Sequence, residues 1–208
     1  MKLVCAGPIV LFVAFAASGQ SKERPVLTHR GHKVTWQLFA PRGVGFSISV
    51  PAKPQRIRDW ISDNDPNGYE SIDAFGGEYR RRHAAFAVVA LLPSAAMLKE
   101  DGDRNELKGL EFLIGGDDAE PASRLPIKVN GLTGTEFVYH FPEEGRHVRG
   151  RVIDGGRRVF VLIYGAKAAA SLNSATARRF FDSLKLARAV RSETFKVRKA
   201  NAARPRRL

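Results

Sequence analysis

Cysteine is nearly missing from this chain. Cys5 is the only one in 208 residues, and it lies inside the apolar run that opens the sequence. It sits too near the start to be a lipidated cysteine preceded by a full hydrophobic segment. If that run is removed, the remaining chain has no thiol, which excludes disulfides, thiolate nucleophiles and cysteine metal sites together. Recognisable catalytic signatures are also missing: no G-x-S-x-G elbow, no H-E-x-x-H, no P-loop and no dinucleotide glycine pattern. There is no internal repeat. A core held without disulfides must rest on apolar burial, and a hydrophobic share of 44% is enough for one domain with extensions.

What is present begins with an export signal. Met1-Lys2 is a short positive start, Leu3 to Ala17 is apolar but short for a membrane span, and Ala16-Ala17-Ser18-Gly19 supplies small residues. We read residues 1–19 as a signal peptide, with cleavage after Ala16 or after Gly19; an uncleaved membrane anchor is the alternative. The expected location is therefore periplasmic or extracellular. Residues 20–33 are polar and read as a linker. His29 and His32 stand three apart there, but Gly31, Arg30 and Lys33 argue against both a helix and a cation site.

Charge is unevenly distributed. Of the net charge of +13, the segment from Arg191 to Leu208 contributes +6, through Arg191, Lys196, Arg198, Lys199, Arg204, Arg206 and Arg207 against Glu193. Residues 189–208 have no apolar period and are expected to form a basic disordered tail. Arg80, Arg81 and Arg82 form the densest basic cluster of the folded part. With Arg198, Lys199, Arg204, Arg206 and Arg207 they are the candidate polyanion-binding residues, for anionic lipid, envelope polymer or nucleic acid. A solvated edge or turn is the competing reading of the cluster, and ordinary solvation that of the tail.

The folded part, residues 34–188, is organised around residues 148–186. Val148 to Val152 alternates as on a half-buried strand, Asp154-Gly155-Gly156 supplies a tight turn, and Val159 to Tyr164 is continuously apolar, as in a central strand covered on both faces. Ala177, Phe180, Phe181 and Leu184 then fall at i, i+3, i+4 and i+7, the apolar stripe of an amphipathic helix. Upstream, strands are predicted over Val34–Ala40, Phe46–Val50, Tyr69–Phe75 and Ala84–Leu92. The turn between the last two falls at Gly76-Gly77 or around Arg80–His83. Asp59 to Gly68 reads as a loop whose carboxylates lack the spacing of a calcium loop. Trp36 and Trp60 read as packing residues.

Asp103 to Ile114 has the capping pair and apolar face of a helix, and Asp117 to Pro121 reads as an acidic loop. Asn130-Gly131 is the strongest hairpin signal in the chain, between strands Leu125–Val129 and Leu132–Phe141. A second turn at Pro142–Gly145 leads into the strand at Val148. The whole is an antiparallel meander closed by a C-terminal amphipathic helix, an α+β class.

No catalytic, cofactor-binding or metal-binding residue is assigned from these patterns. Ser47 already fits the wet side of a strand. The best acid–base candidates are His83, His140 and His147 with Glu136, Glu143 and Glu144. Glu136 and His140 share a strand face, and His147 can approach across the Pro142–Gly145 turn. Charge pairing across strands on a solvent face is the reading favoured over a hydrolase site, because no orienting third group is identifiable.

The segment Phe46-Ser-Ile-Ser-Val-Pro-Ala-Lys-Pro54 resembles the F-S-x-x-x-P-x-x-P opening of small bacterial exported domains with the PsbP-like fold. The stretch from Arg157 to Tyr164, followed by Ala177 to Leu186, resembles their ending, and Asn130-Gly131 falls where they carry a hairpin turn. The resemblance runs from about Trp36 to Leu186. It implies an antiparallel sheet sandwiched by helices, in a superfamily whose members work chiefly by binding other proteins and share no catalytic set or cofactor. The expectation for this chain is a non-catalytic exported domain that binds an envelope protein.

Overall fold

The computed structural model describes residues 34–57, 69–79, 84–94 and 120–187. The leader and linker, the loop containing Trp60, the cluster Arg80–Arg82 with His83, the helix predicted over Asp103–Ile114 and the basic tail lie outside these residues.

Among the described residues, ten strands form two antiparallel sheets. Strands β1 (Gln37–Phe39), β2 (Phe46–Val50) and β10 (Lys185–Leu186) make a small sheet in the order β1-β2-β10. Strands β3 (Gln55–Arg56), β4 (Tyr69–Tyr79), β5 (Ala84–Pro93), β6 (Glu120–Val129), β7 (Leu132–Phe141), β8 (Arg146–Asp154) and β9 (Val159–Ala166) make the large one, in the order β3-β4-β5-β9-β8-β7-β6. A 3-10 turn at Ala169–Asn173 precedes the helix α1 (Ala175–Asp182). Among the described residues no helix is long and apolar enough to cross a membrane. The α+β class is thus the observed one.

Strand β9 sits where its composition demands. It pairs with β5 on one side and β8 on the other, and every residue from Val159 to Tyr164 is buried. A strand with no polar side chain has no face to give to water, so both faces must be covered. One face packs against Ala177, Phe180 and Phe181 of α1 and against Leu184 just beyond it, all buried; the helix ends before Leu184, the last residue of the predicted stripe. Ser174 caps the helix by accepting from the Ala177 N–H at 3.2 Å. The opposite face carries a second cluster of Ala74, Ala87, Val89, Phe137, Val152, Val161 and Ile163.

Three expectations are corrected. The first strand is shorter than Val34–Ala40, since only Gln37–Phe39 pairs with β2. Glu120 and Pro121 belong to strand β6 rather than to an acidic loop, with Pro121 registered against Tyr139. Proline is admissible there because β6 is the outermost strand of the sheet among the described residues, where a missing N–H breaks no interior ladder. The order is also not one simple meander. Strands β6 to β9 are a meander, but β9 returns to lie beside β5, and β2 leaves the large sheet to pair with β10, where Leu186 meets Phe46 and the Ala187 N–H donates to Gly45 O.

Of the two alternatives left open between β4 and β5, the turn at Gly76-Gly77 is overturned, because β4 runs straight through both glycines; Arg80–His83 lie outside the described residues. Glycine is required within β4 by close approach: a Cβ on Gly76 would stand 2.8 Å from Phe86 O. The Asn130-Gly131 turn has the positive φ values, 52° and 82°, of a two-residue hairpin that follows the strand twist.

Candidate functional site

Strand β8 sends its residues alternately to the two faces of the sheet. Val148, Gly150 and Val152 turn toward the cluster of Phe137, and Arg149 and Arg151 turn toward α1. Both arginines converge on one carboxylate. Glu136, on β7 directly across from Arg151, accepts at Oε2 from Arg149 Nη2 at 2.8 Å and from Arg151 Nε at 2.7 Å. Arg149 also donates through Nη1 to Leu172 O and Asn173 Oδ1, and Arg151 through Nη1 to Asp182 Oδ1, each at 3.2 Å. Their guanidinium carbons lie 5.1 Å and 4.9 Å from the centre of the Phe181 ring, within cation–π range.

The network is largely dry: the side chains of Glu136, Arg149 and Arg151 are 15%, 13% and 14% exposed. Burial alone would raise the Glu136 carboxyl, but the hydrogen bonds and charges of Arg149 and Arg151 outweigh it and hold the group below its ordinary value of 4.5. A carboxylate so held is a poor proton acceptor at neutral pH. Its position makes it an ionic pin between the sheet and α1, with Arg149 Nε left buried and without a hydrogen-bond partner.

His140 and His147, read from the sequence as capable of meeting, do meet. They are register partners on β7 and β8, with rings stacked at 4.5 Å between centroids and 15° between planes. Glu136 shares their face but is engaged by the two arginines, so the expected cross-strand charge pairing is found at that residue, on a largely buried face under α1 rather than on a solvent face. Glu143 and Glu144 are exposed in the turn, where Glu144 pairs with Arg146 at 3.3 Å. Among the described residues no group of three or more His, Cys, Asp or Glu side chains is placed to hold a metal ion.

Strand β6 presents an open surface at one edge of the large sheet. Residues 121–126 are all exposed, and Leu125 is 57% exposed with Arg124 and Lys128 beside it. The candidate polyanion residues Arg80, Arg81, Arg82, Arg198, Lys199, Arg204, Arg206 and Arg207 all lie outside the described residues. Strand β6 was not singled out from the sequence as a surface. Its signal was Pro121 and Pro126, which mark an outer strand, together with Leu125 in an otherwise polar stretch.

The protein so defined is an α+β domain in which an antiparallel sheet carries a C-terminal helix. Its structure is similar to that of cyanobacterial PsbP (CyanoP) from Synechocystis sp. PCC 6803, with 13% sequence identity over 78% of this chain and 99% of that one, at a TM-score of 0.49. A protein of unknown function from Pseudomonas aeruginosa is similar at 15% identity over 83% of this chain and 99% of that one, TM-score 0.35. A protein from Bacteroides thetaiotaomicron is similar at 16% identity over 72% of this chain and 47% of that one, TM-score 0.33. At these identities the likeness concerns fold alone. No family model matches the chain, nor does any curated protein.

Proposed function

We propose that this chain is an exported, non-catalytic domain that binds another component of the cell envelope, a protein, through the outer strand β6. One observation supports the surface: Leu125 stands 57% exposed in a run of exposed residues at the sheet's edge, with the cations Arg124 and Lys128 at the alternate positions of the same strand. An exposed apolar side chain at a sheet edge suits a protein partner with a small apolar contact. Export rests on the leader-like start of the sequence, and the absence of a catalytic role on the missing signatures.

A photo-crosslinking residue placed at Leu125 in cells should trap a discrete envelope protein, and the same residue placed at Lys167, away from this edge, should not. Equal labelling from both positions, or cytoplasmic retention of the unprocessed chain, would overturn the reading.

A second reading is favoured by the charge of the tail, in which Arg198, Lys199, Arg204, Arg206 and Arg207, with Arg80, Arg81 and Arg82, bind a polyanion such as anionic lipid, an envelope polymer or nucleic acid. Binding to anionic liposomes would then fall steeply with salt and vanish on removal of residues 191–208. Salt-insensitive binding, or none, counts against it.

A further inference from the structure

Strand β6 ends the seven-stranded sheet among the described residues, and residues 121–126 on it are all exposed. An edge of this kind invites a further strand unless something prevents it. The direction of its backbone groups follows from the hairpin. Val129 and Leu132 flank the two-residue Asn130-Gly131 turn and are register partners, so their N–H and C=O groups point at each other across β6 and β7. By alternation Ile127 and Leu125 also turn these groups to β7, and Lys128, Pro126 and Arg124 turn theirs outward. Proline therefore stands in the middle of the outward row, where it costs the β6–β7 ladder nothing and denies an incoming strand its donor. Its neighbours in that row are both cations. Pro121, beyond the bulge between Pro121 and Ser123, is a second residue of the strand without an N–H.

We propose that β6 is closed to strand addition, so that its protein partner meets it through side chains on a folded surface and does not lend it an extended strand. This deepens, and rests on, the reading of β6 as the partner surface. An antiparallel strand laid along β6 would leave one of its carbonyls facing Pro126 without a donor, a desolvation cost where a bond should be. A second copy of the chain fares no better. Pairing two β6 strands about Pro126 sets Arg124 of one copy opposite Lys128 of the other, and like charges directly across a ladder are destabilising. Shifting that pairing by two residues brings Pro126 opposite one of the cations instead, with the donor still missing. The apolar contact lies on the face of the strand, away from its edge. Leu125 is the register partner of Glu136, so it stands on the side of the sheet that carries α1, and half-buried Ile127 follows on the same side. A pocket on a folded partner reaches that side without using the backbone of β6.

The probe is a synthetic peptide of residues 120–129 carrying Pro126→Thr, Arg124→Glu and Lys128→Glu, a strand matched to this edge and freed of the opposing charges. It is added to the purified full chain while amide hydrogen exchange is followed at Lys128. In the native chain that exchange should be the same with and without peptide, and the same in dilute and concentrated solution. In the Pro126→Thr chain the peptide should slow it and bind at least about fivefold more tightly, the worth of one regained hydrogen bond. Slowing at Lys128 in the native chain, by peptide or by concentration, would overturn the proposal, and this arm depends on no variant folding. A folded Pro126→Thr chain that binds the peptide no better than the native one would overturn it too. Failure to trap a protein from Leu125 defeats the reading on which this rests, whereas slowing at Lys128 in the native chain defeats this inference alone.

Discussion

The two faces of the seven-stranded sheet are made from alternate residues of the same strands, yet they hold together by different means. On the side of α1, β8 contributes Arg149 and Arg151, and the contact is an ionic pin to Glu136 laid under the Phe181 ring. On the other side β8 contributes Val148, Gly150 and Val152, and the contact is close apolar packing in which the ring of Phe137 covers Gly150, its register partner. Polar groups on the first face are tolerated because they pair with one another, Arg149 Nε excepted. Glycine on the second is needed because the aromatic ring occupies the space of a side chain. A strand can therefore look half-wet in sequence and still be covered on both sides.

The comparison breaks most sharply at Gly150. A Cβ there would overlap the Phe137 ring, so Gly150→Val should destabilise the fold by about 3 kcal/mol or more, as an overpacked core does. Chemical denaturation of Gly150→Val, of Phe137→Ala and of the double variant measures this. If steric overlap is the cause, the double variant loses clearly less than the sum of the two.

Next is the ionic face. Glu136→Ala leaves Arg149 and Arg151 largely buried without their shared acceptor, at an expected cost of about 2–3 kcal/mol at neutral pH. The folded-state carboxyl is depressed below 4.5, so its stabilisation is fully present above that value and is lost as pH falls through the depressed folded value. The stability gap between the native chain and Glu136→Gln should accordingly be constant near neutrality and close in acid, as pH falls below the ordinary carboxyl value and through the depressed folded one. A gap that stays open in acid would show that the side chain acts by shape rather than by charge.

Asn130 links the far hairpin to the segment between α1 and β10, donating from Nδ2 to Leu184 O at 2.8 Å while holding a φ of 52°. Asn130→Ala should cost about 1–2 kcal/mol, since it removes the bond and strains the turn. Asn130→Gly, which relieves the strain, should recover part of that. Equal losses in the two variants would mean that the hydrogen bond alone matters.

The smallest effect is expected at Asp182. Its side chain is 66% exposed although it pairs with Arg151 at 3.2 Å, so Asp182→Ala should change stability by less than about 0.5 kcal/mol. A larger loss would extend the ionic pin to the helix surface.

The local elements were legible in the residues themselves. The unbroken apolar run Val159–Tyr164 required a central strand, Asn130-Gly131 required a tight hairpin, and the spacing of Ala177, Phe180, Phe181 and Leu184 required a helix with one buried side. These depend on short-range sterics and on periodicity, which a chain carries along its length. The candidate site was legible only in part. His140 and His147 could be placed near each other because a four-residue turn fixes their register, but their stacking could not. The partners of Glu136 were hidden for a different reason: Asn173 and Asp182, which hold its arginines in place, come from the 3-10 turn and the helix, 24 and 31 residues away from Arg149 and Arg151 along the chain.

The sequence alone determined the α+β class, the hairpins and the amphipathic helix, because each follows from contacts between residues close in the chain. Tertiary structure decided which strands became neighbours, placing β9 beside β5 and β10 beside β2. It also decided which side of β8 would carry its charges inward. Long-range pairing depends on how all the faces are covered at once, and that balance is not written in any one segment.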